Sequence, residues 1–123
     1  MSALQARRRA ALRAIDLQVA LEGLLAQVPP GCVTTFGDLA RALGDVAAAR
    51  YVATWLAQHS LARGGAAHRV VQRDGGLPAD RREDRLSLLR EEGVAVISGR
   101  VDLARHARRG FQTSQPLARL AGR

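Results

Sequence analysis

A chain of 123 residues has room for one small domain whose single core removes roughly two-thirds of the unfolded chain's surface from water. Its 19 basic residues are all arginine and outweigh 11 acidic ones, a formal net charge of +8 that suits a polyanionic partner. Genomic base composition explains the absence of lysine as well as nucleic-acid binding does, so the charge carries the inference and the missing lysine does not. No apolar run approaches the roughly 20 residues that span a bilayer, and the arginines at the N-terminus lack the apolar stretch of a secretory signal. A single cysteine, Cys32, excludes an intramolecular disulfide, and His59, His68 and His106 show no metal-ligand spacing. The expectation is a cytoplasmic protein with no membrane association, no metal and no cofactor. Residues 1–14 (MSALQARRRAALRA) read as a basic N-terminal arm, with Arg7, Arg8 and Arg9 adjacent rather than spread along one face.

Asp16 is placed as the N-cap of a first core helix, in which Leu17, Leu21, Leu24 and Val28 recur at helical spacing until Pro29-Pro30-Gly31 stops it. Cys32 to Thr34 form an extended link. Thr35, with Asp38 three residues later, resembles a capping box that opens a second helix, Phe36 to Leu43, closed by Gly44. A third helix, Ala47 to Gln58, directs Val52 and Leu56 to the core and Arg50 to another side. Two short helices joined by a Gly-containing turn outline a helix-turn-helix. Leu61 to Ala67 is Gly-rich and irregular, Val70-Val71 is a short apolar stretch, and Asp74-Gly75-Gly76 marks a turn. Arg85 to Glu92 reads as a fourth helix stopped at Gly93, Val94 to Val101 alternates as an extended segment, and Phe111 to Arg123 has no pattern and reads as a disordered tail.

Three stretches in order, VPPGCVTTFGDLARALG, AAARYV and AAHRVVQRDGGL, closed by LLREEGV, resemble the DNA-binding domain of O6-alkylguanine-DNA alkyltransferases over about residues 17–94. In that family PPGxVTTYGDLA leads into the helix-turn-helix, AAR supplies the recognition helix and PCHRV carries the alkyl-acceptor cysteine. The resemblance implies a mainly α, winged helix-turn-helix-like single domain with short extended segments: arm 1–14, DNA-binding domain 15–110, tail 111–123. Here the last motif reads Ala66-Ala67-His68-Arg69-Val70, with Ala67 at the acceptor position. Direct dealkylation needs a thiolate that displaces the alkyl group from the base oxygen and keeps it covalently, which a methyl group cannot do. Cys32 lies before the helix-turn-helix and reads as a small buried apolar side chain. The subgroup that fits is the alkyltransferase-like proteins. Its members bind O6-alkylguanine in double-stranded DNA without repairing it and pass it to nucleotide excision repair proteins; the expectation is a non-enzymatic monomer.

The resemblance also implies the site. An alkylated guanine is inspected by turning its nucleotide out of the stack, at a cost of roughly a few kcal/mol that a badly paired base partly offsets. Arg50 is the finger that enters through the minor groove and fills the vacated space, and the small Ala48 and Ala49 let the helix approach closely. Phe36 and Tyr51 complete the DNA-binding set. Phe36 stands where the family has a Tyr that helps rotate the target phosphate, and it serves equally as a staple at the start of the second helix. The lesion pocket is assigned to Phe36, Ala67, His68 and Arg69, with Arg81 and Arg82 from a shortened loop reaching the flipped guanine or its phosphate. His68 and Glu92 match a His and Glu that activate the family's cysteine, and without a thiol they remain as scaffold. His59-Ser60 and residues 61–65 depart from the family's pattern, and Trp55 reads as a core residue. Two alternatives stand beside this reading: a helix-turn-helix module without lesion specificity, and an enzyme that uses Cys32.

Overall fold

A computed structural model describes residues 2–44, 48–58, 65–108 and 110–111, with side chains at 10–12, 14, 48 and 49 outside the description. The first helix, α1, runs Ala3–Leu25. Ser2 caps it: the Gln5 amide donates to Ser2 Oγ and the Ser2 amide donates to Gln5 Oε1, a complete capping box. Asp16 therefore lies within the helix and does not open it, and the stretch expected as an arm is its first half. The reason is local: alanine, leucine, glutamine and arginine are strong helix formers, and no proline or glycine separates Ser2 from Asp16.

After the Pro29-Pro30 turn, strand β1 (Thr34–Thr35) leads into α2 (Phe36–Ala42), whose first turn is capped by Thr35 Oγ1 accepting from the Asp38 amide. Helix α3 covers Ala48–Gln58, so the expected start at Ala47 lies outside the described residues. A single 3-10 turn, Ala67–Arg69, precedes β2 (Val70–Val71). Helix α4 is Arg82–Glu91, three residues earlier than expected at its start. There Arg81 takes a left-handed conformation (φ 49°), and Glu83 and Asp84 place negative charge against the positive end of the helix dipole. Strands β3 (Val96–Ile97) and β4 (Arg100–Val101) form the extended segment expected between Val94 and Val101. The sequence signalled no element for α5, Leu103–His106. Phe111 packs against the core, and residues 112–123 lie outside the described set.

The fold is mainly helical, as expected, with two small sheets. β1 and β2 pair in parallel, Thr34 with Val70 and Thr35 with Val71, while β3 and β4 form an antiparallel hairpin. The parallel pair is the seam between two apolar clusters. Successive residues of a strand face opposite sides, so Val70 joins Leu21, Leu24, Leu39, Leu43, Val52 and Leu56, whereas Val71 joins Val33, Leu77, Leu89, Val94 and Val101. His106 ties α5 into the second cluster. Its Nε2 accepts from the Ala95 amide at 3.0 Å, which leaves Nδ1 to donate to the Gly31 carbonyl at 2.9 Å. No helix among the described residues is long and apolar enough to cross a membrane.

Gly75 is the tightest backbone approach near the seam. Its φ is +86°, and a Cβ there would be driven into the Val101 carbonyl oxygen. Gly75→Ala is expected to lower unfolding free energy by about 2 kcal/mol or more through strain and displacement of β4. Urea denaturation checks this, and a loss under about 0.5 kcal/mol, the range of an ordinary surface change, would show that the hairpin can shift to admit a side chain.

Candidate nucleic-acid interface

Helices α2 and α3 form the helix-turn-helix. Leu39 and Leu43 on one side meet Val52 and Leu56 on the other, all buried. Gly44, at φ +80°, lets the chain leave α2 in a left-handed conformation that a side chain would resist. This packing leaves the outer faces of the pair to solvent. Arg41 stands there, ion-paired to Asp38 one turn back. Arg50 is exposed as the third residue of α3, and the backbone of Ala48 and Ala49 opens that helix. Tyr51 and Trp55 are half-buried against the first cluster, as expected for Trp55. Burial and the nearby Glu22 carboxylate hold the Tyr51 hydroxyl above its ordinary pKa. Phe36 packs on the same cluster as the first residue of α2, directly after the Thr35 cap, so it is not the residue before the cap that a staple would use.

The Ala67–Arg69 turn is gripped from two sides. Glu92, at the end of α4, receives the Arg69 guanidinium through both oxygens, Nε to Oε1 at 3.0 Å and Nη2 to Oε2 at 2.6 Å. Arg69 Nη1 donates to the Val28 carbonyl at 2.8 Å, so all three of its nitrogens are engaged within the fold. His68, 1% exposed, brings Nε2 to 3.0 Å from Glu92 Oε1. From the other side Arg85, 2% exposed, donates to the Ala67 carbonyl at 3.4 Å, to the Asp80 carbonyl at 3.0 Å and to the Asp80 carboxylate at 3.1 Å. Burial raises the cost of charge on Glu92, but the hydrogen bonds from Arg69 and the close approach of His68 outweigh it and hold its pKa below the ordinary value. His68 is also held below its ordinary value. Burial dominates there, with Arg69 and Arg85 acting in the same sense against the pull of Glu92.

The structure brings some of the expected site residues together and separates others. Ala67 and Arg69 border a cavity of about 550 Å³ closed by Leu25, Pro29 and Trp55. Phe36, His68, Arg81 and Arg82 do not line it. Arg82 folds back to donate to the Leu77 carbonyl at 3.1 Å, and Arg81 Nε lies 3.8 Å from Asp80 Oδ2 at the exposed head of α4. The side chains of Ala48 and Ala49, and residues 59–64 between α3 and the turn, fall outside the described set. Cys32 is half-buried in the link before β1. Arg85 and Asp80 were missed by sequence reasoning. Their signal was there, since Arg85 sits one turn before the buried Leu89 on the core side of α4.

The Glu92 cluster makes stability pH-dependent. Both groups have depressed folded pKa values, so the unfolded chain binds more protons and each contribution is lost as pH falls: His68 below its ordinary 6.5, Glu92 below its ordinary 4.5. Unfolding free energy is expected to be flat above about pH 7 and to decline in two stages on acidification, His68→Gln removing the upper stage alone. A profile in which His68→Gln leaves the decline near pH 6 unchanged would place its origin elsewhere. Arg69→Ala leaves the partly buried Glu92 without its main partner and is expected to cost about 3 kcal/mol in urea denaturation at neutral pH.

Residues 16–94 match the model of the 6-O-methylguanine DNA methyltransferase, DNA binding domain. A protein of Picrophilus torridus named bifunctional methyltransferase/endonuclease is 39% identical over 111 residues, which are 89% of this chain and 37% of that protein. A namesake from Thermoplasma volcanium is 35% identical over 85% of this chain and 34% of its own length, so the chain spans about a third of these two relatives. The DNA base-flipping protein of Escherichia coli is 38% identical over 68% of this chain and 67% of its own length. Among solved structures, S. pombe Atl1 in complex with damaged DNA containing O6-carboxymethylguanine shares the fold at a TM-score of 0.69 and 20% identity, covering 77% of this chain and 96% of Atl1. The helix-turn-helix, the Ala67–Arg69 turn and these matches agree: the chain belongs to the 6-O-methylguanine DNA methyltransferase DNA-binding domain family.

Proposed function

We propose that this protein recognises O6-alkylguanine in double-stranded DNA without repairing it. The observation that carries the reading is the Ala67 turn itself. The Glu92 carboxylate, Arg69, His68 and Arg85 hold it as tightly as a reacting group would need, yet the residue so positioned ends in a methyl group. A methyl can neither attack a carbon nor retain an alkyl group, but it leaves room where a larger side chain would crowd a bulky adduct. In this reading α3 enters the minor groove, Arg50 fills the gap left by the flipped nucleotide, and Ala67 and Arg69 border the pocket that takes the base, with the buried His68 behind the turn. Arg69 acts there as a strut, because its donors are already taken. The names of the Escherichia coli relative and of the Atl1 complex, base flipping and a carboxymethylated guanine, support the same chemistry. The protein acts as a monomer, and the marked site passes to nucleotide excision repair proteins.

The deciding experiment is equilibrium binding to a short duplex with one O6-methylguanine against the same duplex with guanine, at one moderate salt concentration. A preference of about tenfold or more, roughly 1.4 kcal/mol, is expected, with Arg50→Ala removing most of the affinity for the lesion. Equal affinity for the two duplexes would leave a helix-turn-helix module without lesion specificity. The methyltransferase in the archaeal relatives' names makes transfer to Cys32 the competing chemistry. A stable mass gain after incubation with alkylated DNA, abolished by Cys32→Ala, would establish it and overturn the non-enzymatic reading.

A further inference from the structure

Residues Ser2 to Arg9 of α1 stand clear of both apolar clusters. Among the described residues the core-facing leucines of this helix begin at Leu17, and every residue from Ser2 to Arg9 is exposed. The first half of the helix is nonetheless capped and continuous with the rest. Arg7, Arg8, Arg9 and Arg13 lie in this stretch, and no carboxylate precedes Asp16. Positive charge near a helix N-terminus opposes the helix dipole, and the first turn of α1 has no acidic residue to offset it. Arginine is a strong helix former, but three in the first two turns run against the dipole, so helix propensity alone does not account for their clustering.

Their position relative to α3 does. Tyr51 senses the charge of Glu22, and the cavity places Trp55 across from Leu25 and Ala26. Tyr51 and Trp55, one turn apart on α3, thus face Glu22 to Ala26 in the core half of α1, which places the beginning of α3 toward the N-terminal side of that stretch. From Leu17, its first described core-facing leucine, α1 continues back to Ala3, about 21 Å at 1.5 Å per residue, on the side where α3 begins with Arg50 in its first turn. A recognition helix presents its N-terminal residues to the duplex, so DNA seated there lies along this extension. Helical phase agrees. Arg7 falls five turns before Leu25 and Arg13 about three turns before Leu24, on the side that α1 turns toward the helix-turn-helix.

We propose that the first half of α1 is a second DNA contact, in which Arg7, Arg8 and Arg9 neutralise phosphates beside the site that Arg50 enters. It deepens the DNA-binding reading above and adds a component indifferent to both lesion and sequence. At 3.4 Å per phosphate along a strand, the extension lengthens the footprint by about six base pairs. Leu4, Ile15 and Val19, exposed on another side of α1, are the features a protein partner would use instead.

The test is the triple variant Arg7→Gln, Arg8→Gln, Arg9→Gln, which keeps helix-forming side chains and removes charge. Binding is measured on a duplex of about 30 base pairs, with and without a central O6-methylguanine, across about 50 to 300 mM salt. Affinity is expected to fall in equal proportion for both duplexes, and the slope of log affinity against log salt to fall by about 2.7, since each of the three neutralised phosphates contributes about 0.9. The corresponding triple lysine variant is expected to restore the slope, and a duplex cut to about 10 base pairs to erase the difference between wild type and the glutamine variant. An unchanged slope overturns the proposal and turns attention to Leu4, Ile15 and Val19 as a protein surface. A reduced slope without lesion preference in the wild type would sink the lesion reading and leave the second contact standing. Lesion preference with an unchanged slope would do the reverse.

Discussion

The Glu92 carboxylate fastens the Ala67–Arg69 turn to the rest of the fold. It sits at the end of α4 and receives two side chains from the Ala67–Arg69 turn, a guanidinium in bidentate geometry and the edge of an imidazole. Partial burial makes the arrangement cooperative. An unpaired carboxylate there is costly, so the turn and the helix end are stable together and strained apart. The turn leads directly into Val70-Val71, whose pairing with Thr34-Thr35 forms the seam between the two apolar clusters. Through β1 the constraint reaches α2, because Thr35 is both the last residue of the strand and the cap of that helix.

Arg85 repeats the device from the opposite side. A fully buried guanidinium is tolerated because it is bonded to a carboxylate, its neighbouring carbonyl and the Ala67 carbonyl. Two buried arginines therefore fix a three-residue turn whose own side chain at position 67 is a methyl group. Neutral His68 adds to the same end, since its depressed pKa keeps a charge out of the wall on which the turn rests.

Much of the helical framework was legible in the sequence. Leu17, Leu21, Leu24, Val52 and Leu56 repeat at helical spacing, and all are buried. Thr35 was readable as a cap and is one. The misreading of α1 came from taking Asp16 as its cap, when continuous helix-forming side chains carry the helix back to Ser2. Helix α5 was illegible for a different reason. Its four residues have no period to detect, and what anchors it is His106, bonded to Gly31 and Ala95. Of the site residues, Arg50 and Ala67 stood out through the motifs that hold them, whereas Asp80 and Arg85 form a pair that no motif announced.

By itself the sequence determined the charge, the helix-turn-helix with its caps, the family motifs and the absence of a thiol at position 67, because each depends on residue identity or on spacing within a few turns. Only the tertiary structure decided that Arg69 is bound within the fold rather than free for a ligand, that Arg85 is buried against the Ala67 carbonyl, and that α1 runs unbroken from Ala3 to Leu25. The first two outcomes rest on contacts between segments far apart in the chain, up to the 41 residues that separate Arg69 from Val28. A charged side chain reads the same in a sequence whether it ends in water or against a carboxylate, and only the packing around it selects between the two.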